Sequence, residues 1–270
     1  MIRLETKRPS LQFDGTGYIA VGTSVRNIIH ANGQYTIEMF VRATTSGRSH
    51  QLLQRGPSST DRHGLAIGSD GRPRLSHYNG SWKAVVGPAI AWGEWAHIVA
   101  TFNTRDDMRI YVNGVQGTAG TQVYAYPYAD IMIARNSYYY SDGLIGEIAY
   151  VRIYDRPLSE QEIRHNMLNP DAPIRDGLVL WFKMTEGGGT VVYDASGNDN
   201  NGTVYGGAAW TEYWRDETVR LTSLRHRITG RQLEAVDFEL VNTDVRVGQK
   251  IRVKRGASIV FEGIIYERRK

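Results

Sequence analysis

Hydrophobic and polar residues alternate along much of the chain in short runs that are separated by turn-forming residues. In 35–43, Thr, Glu and Arg occupy one side and Tyr, Ile and Met the other, which predicts a half-buried strand. Residues 11–21 contain two runs around Asp14 and Gly15, a dipeptide that supplies the positive φ of a tight turn and predicts a hairpin. Further strands are predicted at 51–54, 64–67, 74–78, 96–103, 108–112, 131–134 and 146–154. Many short strands at this spacing are typical of an antiparallel β-sandwich.

A helix is predicted to begin after Ser159. The Ser159 hydroxyl can accept a hydrogen bond from the backbone of Glu162 while the Glu162 carboxylate reaches back, an arrangement called a capping box. The helix is expected to end before Asn169 and Pro170. An apolar run then follows at 178–184, and a polar turn at 194–201 leads to another strand. The sandwich is therefore expected to continue beyond the helix.

Composition narrows the class of protein. With 41% hydrophobic residues, 22% charged residues, 16 Tyr and 29 Gly, the chain suits a globular protein of strands joined by tight turns. No apolar stretch approaches the roughly 18 residues of a membrane span, so membrane insertion is not expected. Glu5 lies where a signal peptide would build its apolar core, so secretion by the usual route is not expected. The absence of Cys excludes disulfides and thiolate metal sites.

The net charge of +4 is concentrated near the C-terminus. Residues 215–270 carry 13 Lys and Arg against 8 Asp and Glu, and the rest of the chain has a slight acidic excess. A basic segment can contact nucleic acid or an acidic protein. Because no recognition helix and no stripe of aromatic and basic residues accompany the charge, we expect a solvated face of an assembly module and no nucleic-acid contact.

Three motifs in a fixed order resemble one known family. They are Phe13-Asp14-Gly15, then GEWAHIVATF at 93–102 with RIYVNG at 109–114, and finally GLIGEIAYVRIYDRPLSEQEI at 143–163. In this order they resemble the laminin-G-like branch of the concanavalin A-like lectin/glucanase superfamily. The resemblance implies an all-β, antiparallel jelly-roll sandwich in which Trp95 and His97 have core or structural roles.

The order of one segment differs from that family. A segment like 177–210 usually precedes the Phe-Asp-Gly strand, whereas here it follows the helix. The domain therefore looks circularly permuted or carries the start of a second copy. We favour permutation, because a lone pair of apolar strands could not bury its faces, while a return to the parent sandwich would cover a sheet edge.

The C-terminal segment resembles a different class of domain. Its strand-like runs, with a Gly-led strand, a basic turn and Phe261-Glu262-Gly263-Ile264, look similar to small β-barrels of phage tail and baseplate proteins. The predicted organisation is thus an N-terminal arm at 1–7, the sandwich at 8–212, and a small, basic, barrel-like domain for assembly or anchoring at 213–270.

The best candidate binding site is the tyrosine-rich loop between the strands at 131–134 and 146–154. Adjacent tyrosines offer flat faces for the C–H groups of a sugar, and the polar residues beside them can bond hydroxyls. A second candidate lies at 77–82. Tyrosine is equally favoured at protein interfaces, so the alternative is a subunit contact. The candidate glycan- or partner-binding residues are Arg135, Asn136, Tyr138, Tyr139, Tyr140, Asp142, Tyr78 and Trp82.

The sequence evidence for a catalytic site or a metal site is weaker than that for the binding site. The Glu-x-Asp-x-x-Glu pattern of the family's glucanases is missing, so we expect no enzyme activity. Many relatives hold calcium through an acidic residue in the closing strand, where this chain has Ala149. Calcium needs 6–8 oxygen ligands, and the candidates are loop acids, chiefly Asp14 and Asp142, with Asp61, Asp70 and Asp130 as further options. The alternative is that these acids shape turns; no other cofactor is expected.

The leading functional hypothesis is a virion structural protein, such as a phage tail, appendage or capsid decoration protein, whose lectin-like domain attaches to host-surface polysaccharide. Expected partners are other virion proteins and further copies of the chain, because linked weak sites raise avidity by roughly 10²–10⁴. The expected location is the outer surface or tail of the virion, and otherwise extracellular. The alternatives are a purely structural decoration protein, a cellular carbohydrate-binding module or adhesin, and a glycan-processing enzyme.

Overall fold

The structure, a computed structural model, describes the backbone of residues 2–25, 33–55, 62–78, 82–103, 107–120, 131–135, 142–217, 220–229, 232–241, 250–255 and 258–264. Contacts within the chain group the residues into two compact units. The larger unit comprises residues 10–211, and the smaller unit comprises residues 1–9 and 212–270.

Antiparallel strands dominate the chain. They are β1 (Ile2–Asp14), β2 (Tyr18–Val21), β3 (Tyr35–Ala43), β4 (His50–Arg55), β5 (Arg62–Ile67), β6 (Pro73–Tyr78), β7 (Trp82–Val86), β8 (Trp95–Asn103), β9 (Asp107–Val112), β10 (Val115–Gly120), β11 (Ile131–Ile133), β12 (Ile145–Tyr154), β13 (Leu178–Phe182), β14 (Val191–Val192), β15 (Gly202–Tyr205), β16 (Ala208–Glu217), β17 (Arg220–Thr229), β18 (Gln232–Val241), β19 (Lys250–Arg255) and β20 (Ser258–Ile264). Helix α1 spans Glu160–Leu168, and the predicted capping box between Ser159 and Glu162 is present.

Two sheets form the larger unit. In sheet I the strand order is β10-β9-β8-β3-β12-β1, and β13 also pairs with β12. In sheet II the order is β14-β15-β2-β11-β4-β5-β6-β7. Their inner faces share one core, in which Ile37 and Met39 of sheet I join Leu53 and Leu65 of sheet II. The predicted all-β sandwich is confirmed.

The turn at residues 14–17 differs from the prediction. The alternation around Asp14 and Gly15 predicts a hairpin, but β1 belongs to sheet I and β2 belongs to sheet II. The turn therefore crosses from one sheet to the other. The hairpin prediction was wrong because a tight turn fixes a change of chain direction and does not choose the partner of the strand that follows.

The outer face of sheet I is covered near α1, and this overturns the half-buried prediction for β3. Thr36 and Glu38 are fully buried. A second hydrophobic cluster lies on this side of the sheet and includes Ile163 from α1 and Trp181 from β13. Polar residues of β3 therefore face protein and not water.

The strands after α1 return to both sheets. β13 pairs with the second half of β12, at Val151↔Phe182. β15 pairs with β2 at Val204↔Ile19, and β14 pairs with β15. The segment predicted to complete the sandwich thus occupies one strand position in sheet I and two in sheet II.

The smaller unit is also built from antiparallel strands. The first residues of β1 pair with β19 from Ile2↔Arg255 to Thr6↔Ile251, β19 pairs with β20, and β17 pairs with β18. Residues 1–7, predicted to be a separate arm, thus supply a strand to this unit. The boundaries of the domains and the similarity to phage tail and baseplate barrels stay predictions. Within the described part of the chain, no helix is long and apolar enough to cross a membrane.

Candidate functional site

The turn between β1 and β2 packs closely against the turn that follows β15. The Asp14 N–H donates to the Gly207 carbonyl at 3.0 Å. A Cβ atom on Gly17 would lie only 2.6 Å from the carbonyl carbon of Gly207, so the contact requires glycine at position 17. The last residue of β15, Tyr205, is thereby held next to the first residue of β2, Tyr18.

Tyr205, Tyr18 and Arg135 form a stack at this end of the sandwich. The two tyrosines are register partners on β15 and β2, and their ring centroids are 5.0 Å apart with planes inclined by 17°. The guanidinium carbon of Arg135 lies 4.6 Å from the centroid of Tyr18. Tyr18 is half-buried, while Tyr205 is 46% exposed. The stack therefore leaves the Tyr205 ring partly exposed, while the Arg135 guanidinium group lies against Tyr18.

The segment that contains the predicted tyrosine loop is anchored at both ends. Leu144 N–H donates to the Ala134 carbonyl at 2.9 Å, and Ala134 N–H donates to the Leu52 carbonyl at 2.9 Å. Gln51 N–H donates to the carbonyl oxygen of Asp142 at 2.7 Å. Because the backbone of β4 in sheet II fixes both ends, Arg135 and Asp142 have defined places at the two ends of the loop.

His50 and Arg48 contact the backbone at the end of the same loop. Burial lowers its pKa, and the charge of Arg48 lowers it further, while the hydrogen bond to Thr45 and the charge of Asp142 act in the opposite direction. Arg48 also donates to the Gly143 carbonyl at 3.2 Å. Arg48, two residues before β4, thus holds the Gly143 carbonyl, and His50 accepts the Ile145 N–H at 3.2 Å.

Asp14, one of the predicted calcium ligands, is hydrogen bonded within its own turn. Oδ1 of Asp14 accepts hydrogen bonds from the Thr16 hydroxyl at 2.7 Å and from the Thr16 and Gly17 amides at 2.8 and 3.3 Å. These bonds, led by that of the Thr16 hydroxyl, lower the pKa of Asp14, and they show a carboxylate that shapes a turn. Among the described residues, no group of three or more His, Asp or Glu side chains could hold a metal ion. Calcium at Asp14 or Asp142 stays a prediction.

The remaining predicted site residues are only partly described. Asn136, Tyr138, Tyr139 and Tyr140 lie outside the described residues, as do the weaker calcium candidates Asp61 and Asp130. Asp70 is described, and its carboxylate binds Arg74 at 2.6 Å and lies on a turn. Tyr78 and Trp82 are register partners on β6 and β7, so the backbone brings this second predicted pair together.

Two residues of the stack were not predicted from the sequence. Tyr18 and Tyr205 are separated by nearly the whole sandwich along the chain and become neighbours only because β15 pairs with β2. The one available signal was the alternation in 18–21, which places Tyr18 on the face opposite to the buried Ile19.

Of the predicted structural positions, His97 is buried, and Trp95 stacks on Phe40 with centroids 5.0 Å apart.

The sequence motifs and the two sheets agree with a comparison against known families. The family model of the concanavalin A-like lectin/glucanases superfamily matches residues 13–164, more than half of the chain. The chain belongs to this superfamily. The superfamily match ends within α1, so β13, β14 and β15 lie beyond it. No curated protein matches the chain.

Three solved structures are similar to this chain, and the first of them, with a TM-score above 0.5, shows the same fold. A Bacteroides ovatus protein proposed to bind carbohydrate is 19% identical with a TM-score of 0.57, over 79% of this chain and 61% of that one. The heptameric SAP-like pentraxin of Limulus polyphemus is 15% identical with a TM-score of 0.49, over 77% and 94%. CBM40 of the Ruminococcus gnavus IT-sialidase is 16% identical with a TM-score of 0.49, over 60% and 97%. This chain thus spans about three fifths of the Bacteroides ovatus protein.

Proposed function

We propose that this superfamily member binds carbohydrate at the end of the sandwich where Tyr205, Tyr18 and Arg135 stack. The observation that carries the proposal is the partly exposed Tyr205 ring, which stacks on Tyr18, and the Arg135 guanidinium group that also contacts Tyr18. The superfamily membership and the fold shared with a Bacteroides ovatus protein proposed to bind carbohydrate support it.

The chemistry of the stack suits a pyranose ring. The exposed face of Tyr205 can pack against the C–H face of a sugar, because aromatic rings bury apolar area while their polar ends stay hydrated. The guanidinium group of Arg135 carries N–H donors for hydroxyl oxygens, and its position over Tyr18 restricts its rotation. In this proposal the tyrosines at 138–140 extend the aromatic surface and Asn136 and Asp142 add polar contacts. The proposal contains no catalytic step, in line with the missing glucanase pattern.

A glycan array with purified protein tests this function. Wild-type protein is expected to bind at least one microbial glycan, and Tyr205→Ala or Arg135→Ala is expected to weaken that binding about tenfold, because each removes part of one contact surface. The triple change of Tyr138, Tyr139 and Tyr140 to Ala extends the test to the loop. Arg109→Ala is the matched control, since Arg109 is partly exposed on β9 and paired with Asp107.

Two outcomes would count against the proposal. Binding that survives Tyr205→Ala and Arg135→Ala unchanged would remove this site, and a folded wild-type protein that ignores every glycan would remove the function. Repeating the array with calcium and with a chelator tests the calcium prediction, because a bound ion would make binding sensitive to the chelator.

We also propose that the protein is a virion structural component, in a tail, an appendage or a capsid decoration, and that the smaller, basic unit attaches the sandwich to the particle. Support comes from the concentration of Lys and Arg in residues 215–270. Several copies on one particle would raise avidity by roughly 10²–10⁴ over a single weak site. Mass spectrometry of purified particles should find the chain at many copies. Detection only in a cellular or extracellular fraction would favour a carbohydrate-binding module or adhesin.

A further inference from the structure

Four basic residues occupy one line of register partners across sheet II. Arg55 of β4 pairs with His63 of β5. His63 pairs with His77 of β6, which in turn pairs with Lys83 of β7. Neighbouring strands lie about 4.8 Å apart, so the four positions span roughly 14 Å. We call Arg55, His63, His77 and Lys83 the basic row.

The basic row lies at the rim of the core-facing side of sheet II. Residues two apart in a strand share a face. Two positions away on each of these four strands is a core residue that is at most 1% exposed, namely Leu53, Leu65, Leu75 and Val85. Lys83, in contrast, is exposed. The basic row therefore follows the last buried layer, where the core meets solvent.

The strands of sheet I that lie opposite this rim supply no acid. A Cβ atom on Gly120 of β10 would lie 3.0 Å from Cγ1 of Val85, so β10 lies against β7. From Gly120 a line of register partners continues through three core residues that are each 1% exposed, Met108, Phe102 and Tyr35. The ordinary pKa of a tyrosine hydroxyl is about 10, so this line contains no charge near neutral pH.

The acids near the rim do not share a register line with the basic row in the described part of the chain. Asp107 is next to Met108 but on the opposite face of β9, where it binds Arg109 at 2.9 Å. Asp61, Asp106 and Asp130 lie outside the described residues. The register therefore places basic residues side by side without an acid between them.

This placement concentrates positive charge. Like charges directly opposite each other on neighbouring strands are destabilising. Arg55 and Lys83 are charged near neutral pH, and histidine has an ordinary pKa of about 6.5. The basic row thus has two positive charges above that pH and four below it. A bound anion would offset the repulsion, and the exposed position of Lys83 gives it access from solvent.

We propose that the basic row binds a phosphate group, either as free phosphate or as a small phosphate monoester. Arginine matches phosphate oxygens with two parallel N–H donors, and lysine supplies a compact charge. A dianion balances the two permanent charges of the row, whereas a carboxylate balances only one. A divalent metal ion at the two histidines would be repelled by Arg55 and Lys83.

This site is separate from the proposed carbohydrate site. From Arg55 the line of register partners continues to Ile131 and then to Val21. Val21 is the last residue of β2, whereas Tyr18, which belongs to the stack, is the first. The two proposals can therefore fail independently.

NMR titration of the full, ¹⁵N-labelled chain at constant ionic strength tests the proposal, with inorganic phosphate and phenyl phosphate as probes. At least one of them is expected to shift the amide signals of Gly64, Ser76 and Ala84, which adjoin the basic row, in a saturable manner. A response to inorganic phosphate identifies free phosphate as a ligand, and a response to phenyl phosphate alone identifies an ester. Acetate, the monoanion for comparison, should bind about tenfold more weakly.

Lys83→Gln removes the exposed charge of the row and should weaken phosphate binding about tenfold, as expected for the loss of one charge-assisted hydrogen bond. Arg62→Gln is the matched control. Arg62 is next to His63 on β5 but on the opposite face of the sheet, so this variant loses one positive charge outside the row and should bind as wild type does.

The histidines are tested by pH, with sulfate as a phosphate mimic that keeps two negative charges on both sides of pH 6.5. Sulfate binding should tighten as the pH falls through about 6.5, because a nearby anion favours the protonated form of histidine. The double variant His63→Gln/His77→Gln should lose most of this pH dependence.

Several results would overturn the proposal. It fails if neither phosphate probe shifts these amides, if Lys83→Gln binds as wild type does, or if Arg62→Gln weakens binding as much as Lys83→Gln. It also fails if acetate binds as tightly as phosphate, or if sulfate binding to the wild type does not change with pH. Because Lys83 is exposed, its variant is expected to fold even if the histidine variants do not.

Discussion

His50 is fully buried at the start of β4, and both nitrogens of its ring are hydrogen bonded. Nε2 bonds the Thr45 carbonyl at 2.7 Å, and the Ile145 N–H donates to Nδ1 at 3.2 Å. Because a carbonyl only accepts and an amide N–H only donates, these partners require a neutral ring with its proton on Nε2. Protonation of Nδ1 would break the bond to Ile145, which agrees with the lowered pKa of His50.

This arrangement predicts a loss of stability in weak acid. The unfolded chain takes up a proton on His50 near pH 6.5, about its ordinary pKa, whereas the folded chain does so only at lower pH. Between these two values the unfolded state binds more protons, so His50 lowers the free energy of unfolding as the pH falls. Urea unfolding above and below this range should show a smaller pH dependence in His50→Gln than in wild type. His165→Gln, at an exposed histidine in α1, is the control, and an unchanged pH dependence in His50→Gln would contradict the prediction.

At the scale of elements, α1 and the segment after it are held on sheet I by a buried polar cluster around Glu38. Arg152 Nη1 donates to Glu38 Oε1 at 2.8 Å, and His97 Nε2 lies 2.9 Å from the same oxygen. Asn166 of α1 donates to Glu38 Oε2 at 2.7 Å and accepts the Ile174 N–H at 2.8 Å. Burial by itself would raise the pKa of Glu38, but Arg152 and the hydrogen bonds from His97 and Asn166 lower it. The charged cluster thus gives the helix a defined position that apolar contacts alone would not specify.

Removing both members of the buried pair should cost less than the sum of the costs of removing each one alone. Arg152→Met is expected to cost about 3–5 kcal/mol, because it leaves Glu38 buried and charged without its main partner. The double variant Glu38→Gln/Arg152→Met should lose less than the sum of the two single changes. Chemical denaturation of Glu38→Gln, Arg152→Met and the double variant measures these costs. Arg109→Met, at a partly exposed arginine paired with Asp107, should cost no more than about 1 kcal/mol. Additive costs at positions 38 and 152 would show that the two charges are not coupled.

At the scale of the whole larger unit, the strands after α1 are part of one core. β13 and β15 belong to different sheets, and they meet at Phe182 and Gly202. A Cβ atom on Gly202 would lie 2.7 Å from Ile19 Cγ2 and 2.8 Å from Phe182 Cζ. Glycine is required here because a ring from sheet I occupies the space that a side chain would fill. The segment after α1 is thus packed within this unit, and the circular permutation of the domain stays a prediction.

Gly202→Ala should therefore destabilise the larger unit by about 1–3 kcal/mol, the usual cost of an added carbon in a packed core. Gly188→Ala is the matched control, because no heavy atom lies within 4 Å of a Cβ added there. Thermal or urea unfolding compares the two. Equal stability of both variants would mean that the returning strands are not packed in the core as described.

The sequence by itself determined the local features: the strand alternation, the capping box at Ser159 and Glu162, and the motifs that indicate the superfamily. These are readable because each depends on residues close together in the chain. Of the candidate site, it indicated the loop that Arg135 and Asp142 flank, and it missed Tyr18 and Tyr205. Only the tertiary structure decided that the turn at 14–17 crosses between sheets, that Glu38 is buried and that Tyr205 stacks on Tyr18. The reason is physical: strand partners and the covering of a sheet face are set by segments far apart in the chain, and the alternation of one strand contains no information about which segment that will be.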